Sequence, residues 1–301
     1  LGSGNDTLTI TSTTANPVQI TGNGGADVFN VQATTGLVVL HGGSGADTFN
    51  LGSVSPGVSG NVNGIAGLLE LHGGLGVDVL NVDETGEIAG NTGLFTATTL
   101  TGLGMTAGVE FSETETININ LGAGSDTFNV QSVLPTVTLT VSLGAGVDVL
   151  NLGSTAPVSG GTVNEILGTV VVIGSGNDVL NVDDSGDADD NAGSLVPATL
   201  TGLGLGSSVT YSGLAELYVF LGSGDDTFTV NDMTESTVTR IDGGEGINTA
   251  VLNFTSFGAV ELSLIRFESA TLVVVNDFTG LLNLDGKFTT ATIGGTLTQT
   301  G

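Results

Sequence analysis

Eight aspartates in this chain, Asp6, Asp27, Asp47, Asp78, Asp126, Asp148, Asp178 and Asp226, each close a glycine-rich turn and lead into a short apolar strand. The clearest copies read GGSGADTFNL at 42–51, GGLGVDVLNV at 73–82, LGAGSDTFNV at 121–130 and LGSGDDTFTV at 221–230. A ninth copy, starting at Asp242, carries Asn248 where the aspartate belongs. Glycines recur four and two positions before the aspartate, as Gly43 and Gly45 before Asp47. Glycine enters φ > 0 freely, so this spacing predicts a curled backbone whose carbonyls converge beside a carboxylate. That donor set suits calcium, which takes about six to eight oxygens with tolerant geometry. Cysteine is absent and the histidines are only His41 and His72, which argues against zinc or copper. A second acidic run, DDSGDADD at 183–190, offers Asp183, Asp187 and Asp189, with Ser185, around a cation; a solvated acidic loop is the alternative. For the eight turns the alternative is that glycine and aspartate only shape the turn, the carboxylate capping nearby amides.

The elements that position these residues are strands. After each turn the apolar residues fall two and four places beyond the aspartate, as Phe49 and Leu51 after Asp47 or Leu80 and Val82 after Asp78. Period two predicts a strand with one buried face. Further strands are expected at 37–40, 68–71, 137–143, 169–173, 209–211, 217–221 and 271–275. Successive aspartates are separated by 21, 20, 31, 48, 22, 30 and 48 residues, and 98–130 matches 198–230 without a gap, a superrepeat of 100 residues. Short strands at such spacing bury their faces by stacking on neighbours. The expected fold class is all-β, a parallel β-solenoid with a Gly–Asp turn in most coils. Its coils take 20–30 residues, the 48-residue steps hold two coils with 100–104 and 200–204 at the extra turn, and the whole forms a rod of roughly 55–60 Å. A β-sandwich would not need an equivalent glycine–aspartate turn, and a propeller would want equal blades. The expected organisation is a calcium-binding solenoid over 1–249 and a diverged, metal-poor continuation or cap over 250–301.

Composition narrows the partners. Thirty-one acidic residues face three strong bases, Lys287, Arg240 and Arg266, for a formal net charge of −28, while 39% of residues are apolar. Apolar material for a core is present, so disorder is not expected; the repulsion calls for counter-charge, which divalent cations supply. Nucleic acid is excluded as a partner on charge. No stretch approaches the roughly 20 apolar residues of a membrane span, and the chain reads as a segment of something longer. Asn30, Asn50, Asn81, Asn129, Asn151 and Asn181 each sit three places after an aspartate and are expected to form a hydrogen-bonded ladder; His41 and His72, each before a GG pair, are expected to stack rather than ligate.

The runs at 42–50 and 73–81 match every fixed position of G-G-x-G-x-D-x-U-x and so resemble the haemolysin-type (RTX) calcium-binding repeats of large secreted bacterial adhesins and surface proteins. At Asp126, Asp148, Asp178 and Asp226 the leading glycine is replaced by Leu121, Leu143, Ile173 and Leu221, and the copies are widely spaced rather than tandem. The resemblance implies calcium held between stacked turns, a secreted or cell-surface location, and a calcium-stabilised structural or adhesive stalk. The partners it implies are calcium ions, with cell-surface glycans or neighbouring copies of the same protein. No catalysis is expected, because acids are spread periodically and bases are nearly missing. The alternatives are a carbohydrate- or surface-binding module, with 96–101 and 289–298 as candidate threonine-rich faces, or a non-catalytic β-helix part of a secreted polysaccharide-acting enzyme.

Overall fold

The computed structural model describes residues 1–233, 236–254, 261–274, 281–285 and 290–294. Among these residues the chain is all-β, with 25 strands and no helix. It divides into two compact units: Leu1–Asn129 with Thr136–Asp148 and Val170–Ile173, and Val130–Pro135 with Val149–Thr169 and Gly174–Gly301.

In the first unit each coil lays two strands on the coil before it. One stack runs through Val18–Gly24, Val38–Ser44, Leu69–Leu75 and Val109–Ser112, all parallel. The other runs through Thr7–Ile10, Val28–Val31, Thr48–Leu51, Val79–Asp83, Thr116–Asn120 and Thr138–Ser142, also parallel. Register puts like on like. Phe29, Phe49, Leu80, Ile117 and Leu139 form one buried column; Val31, Leu51, Val82, Ile119 and Val141 form the next. Their strand partners alternate outward, as the period-two pattern requires. The rings of Phe29 and Phe49 stack at 5.2 Å, 11° apart, so the column gains aromatic contact as well as burial. In the second unit Ala192–Val196, Thr227–Asn231, Thr249–Phe254, Ser269–Val274 and Thr290–Gly294 stack in the same way. Parallel strand contacts repeated coil on coil make this a β-solenoid-like fold.

Two kinds of insertion explain the uneven spacing. A bare coil takes about 20 residues, as from Val18 to Val38. The longer steps carry an arch, 52–62 in the first unit and 153–163 in the second, between Thr48–Leu51 and Leu69–Leu75 and between Val149–Leu152 and Thr169–Asp183. The first 48-residue step holds the expected additional coil, Val109–Ser112 and Thr116–Asn120 laid on Leu69–Leu75 and Val79–Asp83, and both 48-residue steps also contain an antiparallel excursion. Gly93, Leu94 and Phe95 pair with Gly102, Thr101 and Leu100, and Leu100 pairs onward with Val109; Gly193–Leu195 pair with Gly202–Leu200 and Leu200 with Val209 likewise. The chain reverses twice: first after Phe95, where Thr96 N donates to Thr99 O at 2.9 Å, and again after Gly102, where Gly102, Leu103 and Gly104 all take the left-handed conformation (φ 82°, 52° and 80°), which two glycines accept without strain. Lys287, most of the 289–298 run and Val275 lie outside the described residues or their described side chains.

Candidate functional site

Asp27, Asp47, Asp78, Asp126, Asp148 and Asp226 each sit immediately before the strand that follows their turn. There the carboxylate accepts from the backbone of the preceding coil. Asp6, Asp27 and Asp47 donate their N–H groups to Oδ1 of Asp27, Asp47 and Asp78 at 2.8, 2.7 and 2.7 Å, and Asp78 donates to Glu115 Oε2 at 2.8 Å. The N–H of Asn91 reaches Asp126 Oδ1 and that of Asp126 reaches Asp148 Oδ1, both at 2.7 Å. In the second unit Asn191 donates to Asp226 (2.8 Å), Asp226 to Asn248 (2.9 Å) and Asn248 to Glu268 Oε2 (2.6 Å). This is a side-chain-to-backbone ladder. It satisfies an N–H that the sheet ladder cannot reach at the strand entry, where a buried orphan is costly. Glu115, Glu268, Asn91 and Asn191 belong to it although no glycine turn announces them; their signal is an acid or amide directly before a strand, as in Glu115–Thr116 and Glu268–Ser269.

The second oxygen sets the local chemistry. Oδ2 of Asp27, Asp47 and Asp78 is buried and accepts no hydrogen bond. It folds back over the glycine five residues earlier: a Cβ on Gly42 would collide with Asp47 Oδ2 and with Gly73 O, and a Cβ on Gly22 with Asp27 Oδ2. Asn248, in the ninth copy, fills its turn with a donor rather than a second oxygen. Its Nδ2 donates to Gly243 O at 2.7 Å and Glu245 O at 2.8 Å, the carbonyls five and three residues before it. At Asp126 and Asp226, which stand in turns of the same kind as Asn248, the carboxylate is instead held by the backbone N–H of Gly122 and Gly222. Burial, more than any other influence, pushes the Asp47, Asp78, Asp126 and Asp226 carboxyls above the ordinary range, against hydrogen bonds from the coil before. Such an atom calls for a proton or a cation.

The other expected ligands sit differently. Asp6 is half-buried and caps the N–H of Gly2 at 2.8 Å. Asp178 accepts from Ser175 N at 2.6 Å and Ser175 Oγ at 3.0 Å, within its own turn. Asp183, Asp187 and Asp189 are not brought together on one point. Asp183 holds Gly161 N (3.0 Å) and Ser185; Asp187 holds Asp189 N and Asn164 Nδ2, both at 2.9 Å; Asp189 is exposed. Burial opposes ionisation of Asp187, but these hydrogen bonds prevail and hold its carboxyl below the usual value. Among the described residues no group of three or more His, Cys, Asp or Glu side chains is placed to hold a metal ion.

Two acids beside these loops were not legible as special. Glu84 and Asp184, each 1% exposed, face the arches: Glu84 accepts from Val62 N and Asn91 Nδ2, and Asp184 from Val163 N at 3.0 Å. Burial pushes both to about 7, with neighbouring acids adding to the rise.

The outward face carries the asparagine ladder. Asn50 donates to Asn30 and Asn81 to Asn50 (2.9 Å each), Asn118 to Asn81 (2.8 Å) and Asn181 to Asn151 (2.8 Å), and Asn129 donates to Gly93 O at 3.1 Å. His41 and His72 stack at 4.7 Å, 13° apart, beside Gln19 and Ser112. Where an arch overhangs the asparagines a hollow forms. The first, of about 380 Å³, has Asn50, Asn81, Asp83, Pro56, Val58 and Asn120 on its walls. The second, of about 210 Å³, has Asn151, Asn181, Asp183, Pro157, Val158 and Phe220.

No protein-family model matches the chain, and neither a curated protein nor a solved structure matches it. The fold is therefore known from its own strand contacts, and what the molecule does rests on the sites just described. Among the described residues no helix is long and apolar enough to cross a membrane.

Proposed function

We propose that this chain is a calcium-stabilised structural or adhesive stalk segment of a larger secreted or surface protein, organised as a 100-residue superrepeat with a Gly–Asp turn in most coils and without catalysis of its own. The observation that carries the reading is the stacked ladder at the strand entries, where Asp27, Asp47 and Asp78 each keep one buried oxygen without a hydrogen bond. A cation beside such an oxygen relieves a cost of burial in the folded state only, so ion and fold stabilise each other. The net charge of −28 supports the same reading, since bound divalent ions reduce the repulsion that a compact form must bear. Like-on-like columns suit a part whose task is to hold length under load, because every coil adds the same contacts as the last. The superrepeat is supported by paired details: Asp83 and Asp183 hold Gly60 N and Gly161 N, and Gln32 and Gln131 each donate at 2.8 Å to the carbonyl before Pro56 and Pro157.

Single-molecule stretching with calcium and with EDTA, alongside equilibrium dialysis, tests this. The expected result is bound calcium and a higher unfolding force in its presence. An unchanged force with no bound ion overturns the calcium-stabilised stalk.

A further inference from the structure

The hollow beside Phe220 is built, not incidental. Its roof is the arch over 153–163, tied down by a set of bonds repeated in the first unit. Gly161 N and Gly160 N donate to Asp183 Oδ2 (3.0 Å) and Ser185 Oγ (3.1 Å), as Gly60 N and Ser59 N donate to Asp83 Oδ2 (2.8 Å) and Thr85 Oγ1 (2.9 Å). Ser185 Oγ and Thr85 Oγ1 then donate to the same aspartates at 2.5 Å. Gly186 N to Gly161 O and Gly86 N to Gly60 O, both 2.8 Å, close each arch onto the next coil. These bonds fix the walls before any ligand arrives, which lowers the ordering cost of binding.

The chemistry of the walls selects the ligand. Asn181 spends one N–H on Asn151, leaving a second N–H and its Oδ1 to the outer face. Asp183 accepts three bonds and retains further acceptor capacity. Val158, 68% exposed, and Pro157 supply an apolar lip. Opposite lies the half-buried ring of Phe220, stacked on Tyr218 at 6.2 Å and 6°. A carboxylate wall repels anions, and the two arginines are engaged elsewhere, Arg240 with Glu216 and Arg266 with Asp242. A ligand fitting this set has hydroxyls that both donate and accept along one edge and C–H groups on one face. At about 210 Å³ the space is smaller than an ordinary drug-sized pocket, of about 300 Å³ or more, and matches one six-membered ring.

We propose that the Phe220 hollow binds a single neutral pyranose unit, its C–H face on Phe220 and its hydroxyls on Asn181 and Asp183. The site is independent of the turn aspartates and of the stalk reading. The first unit supplies a natural comparison, because its hollow has the same arch and asparagines but Asn120 where Phe220 stands.

The test uses the full chain, titrated with the methyl glycosides of glucose, galactose, mannose and N-acetylglucosamine, and followed by the side-chain amide signals of Asn151 and Asn181 and the ring signals of Phe220. At least one glycoside is expected to shift all three sets at millimolar concentration. Phe220→Asn, which installs the residue of the first hollow, is expected to weaken binding roughly tenfold through loss of its aromatic anchor. Val158→Glu, at the exposed lip, blocks entry without touching the arch bonds and is expected to abolish the shifts. No shift with any glycoside, equal shifts in Phe220→Asn, or shifts confined to Asn50 and Asn81 would each overturn the proposal.

Discussion

Replacing Asp47 by asparagine is expected to stabilise the protein when calcium is withheld, whereas replacing it by alanine is expected to destabilise it. Asp47 is fully buried; its Oδ1 accepts the Asp27 N–H at 2.7 Å and its Oδ2 has no hydrogen bond. Asparagine keeps the first bond and replaces the buried, unpartnered oxygen with a neutral amide, the side chain that already fills the ninth copy at Asn248. The variant no longer buries an unpartnered charged oxygen, whose desolvation costs about 1–3 kcal/mol, so a gain of about 1–2 kcal/mol is expected at neutral pH. Alanine leaves the Asp27 N–H unpaired, a loss of about 1–3 kcal/mol.

The assay is thermal melting in EDTA across pH. For a unit of this size the asparagine variant should melt on the order of 2–8 °C above wild type at neutral pH. Burial raises the Asp47 carboxyl above its ordinary 3.8, so its protonated form is the one the fold favours. That contribution is fully present below 3.8 and is lost as pH rises through the folded-state value, so wild type and Asp47→Asn should converge in acid and separate above it. On the proposed calcium reading, added calcium should raise the wild type more than the variant, which has a donor where the wild type has an oxygen. If Asp47→Asn melts below wild type at neutral pH in EDTA, the reasoning about the second oxygen is wrong.

Three further outcomes follow from the same geometry. Gly45→Ala should cost at least about 1–2 kcal/mol from handedness alone, because Gly45 has φ 131° and an added Cβ would strike Gly25 O; urea unfolding measures it. Phe49→Ala should cost about 3–5 kcal/mol, since it empties the buried Phe29–Phe49 column, and a loss under 1 kcal/mol would contradict the column. Glu84 and Asp184, raised to about 7, should make the fold less stable as pH climbs from their ordinary 4.5 and 3.8 through about 7; the double variant Glu84→Gln, Asp184→Asn should flatten denaturant midpoints over that interval.

Strands were legible in the sequence because period two survives in every copy: Phe49 and Leu51, or Leu80 and Val82, need only a buried face to be recognised. Stacking was legible because repeats identify which residue lies on which. The asparagine ladder at Asn30, Asn50 and Asn81 and the His41–His72 stack were legible for that reason too. The antiparallel excursion itself was not. Its strands share the Val, Thr and Leu content of the parallel ones, and direction is decided by the turns after Phe95 and after Gly102 rather than by composition. Glu115 and Glu268 were hidden because their function depends on position before a strand, not on a surrounding glycine motif. Glu84 and Asp184 were hidden because burial under an arch cannot be read from a run of acids.

The contrast between Asn248 and its aspartate counterparts bears on why the acid is used at all. As a cap for the N–H of the preceding coil, either side chain serves: Asp226 donates to Asn248 at 2.9 Å much as Asp27 donates to Asp47 at 2.7 Å. As a filler of the turn, asparagine is the better choice, because its second atom pairs with two carbonyls. Aspartate is the worse filler unless a positive partner arrives, and the penalty recurs at Asp27, Asp47 and Asp78. An amide ladder would be stable under all conditions. An aspartate ladder makes each coil's stability conditional on a proton or a cation, and stacking passes that condition to its neighbours through the shared hydrogen bonds. On the proposed reading, the fold would be loose where divalent cations are scarce and firm where they are abundant, which is the behaviour a calcium-stabilised stalk requires.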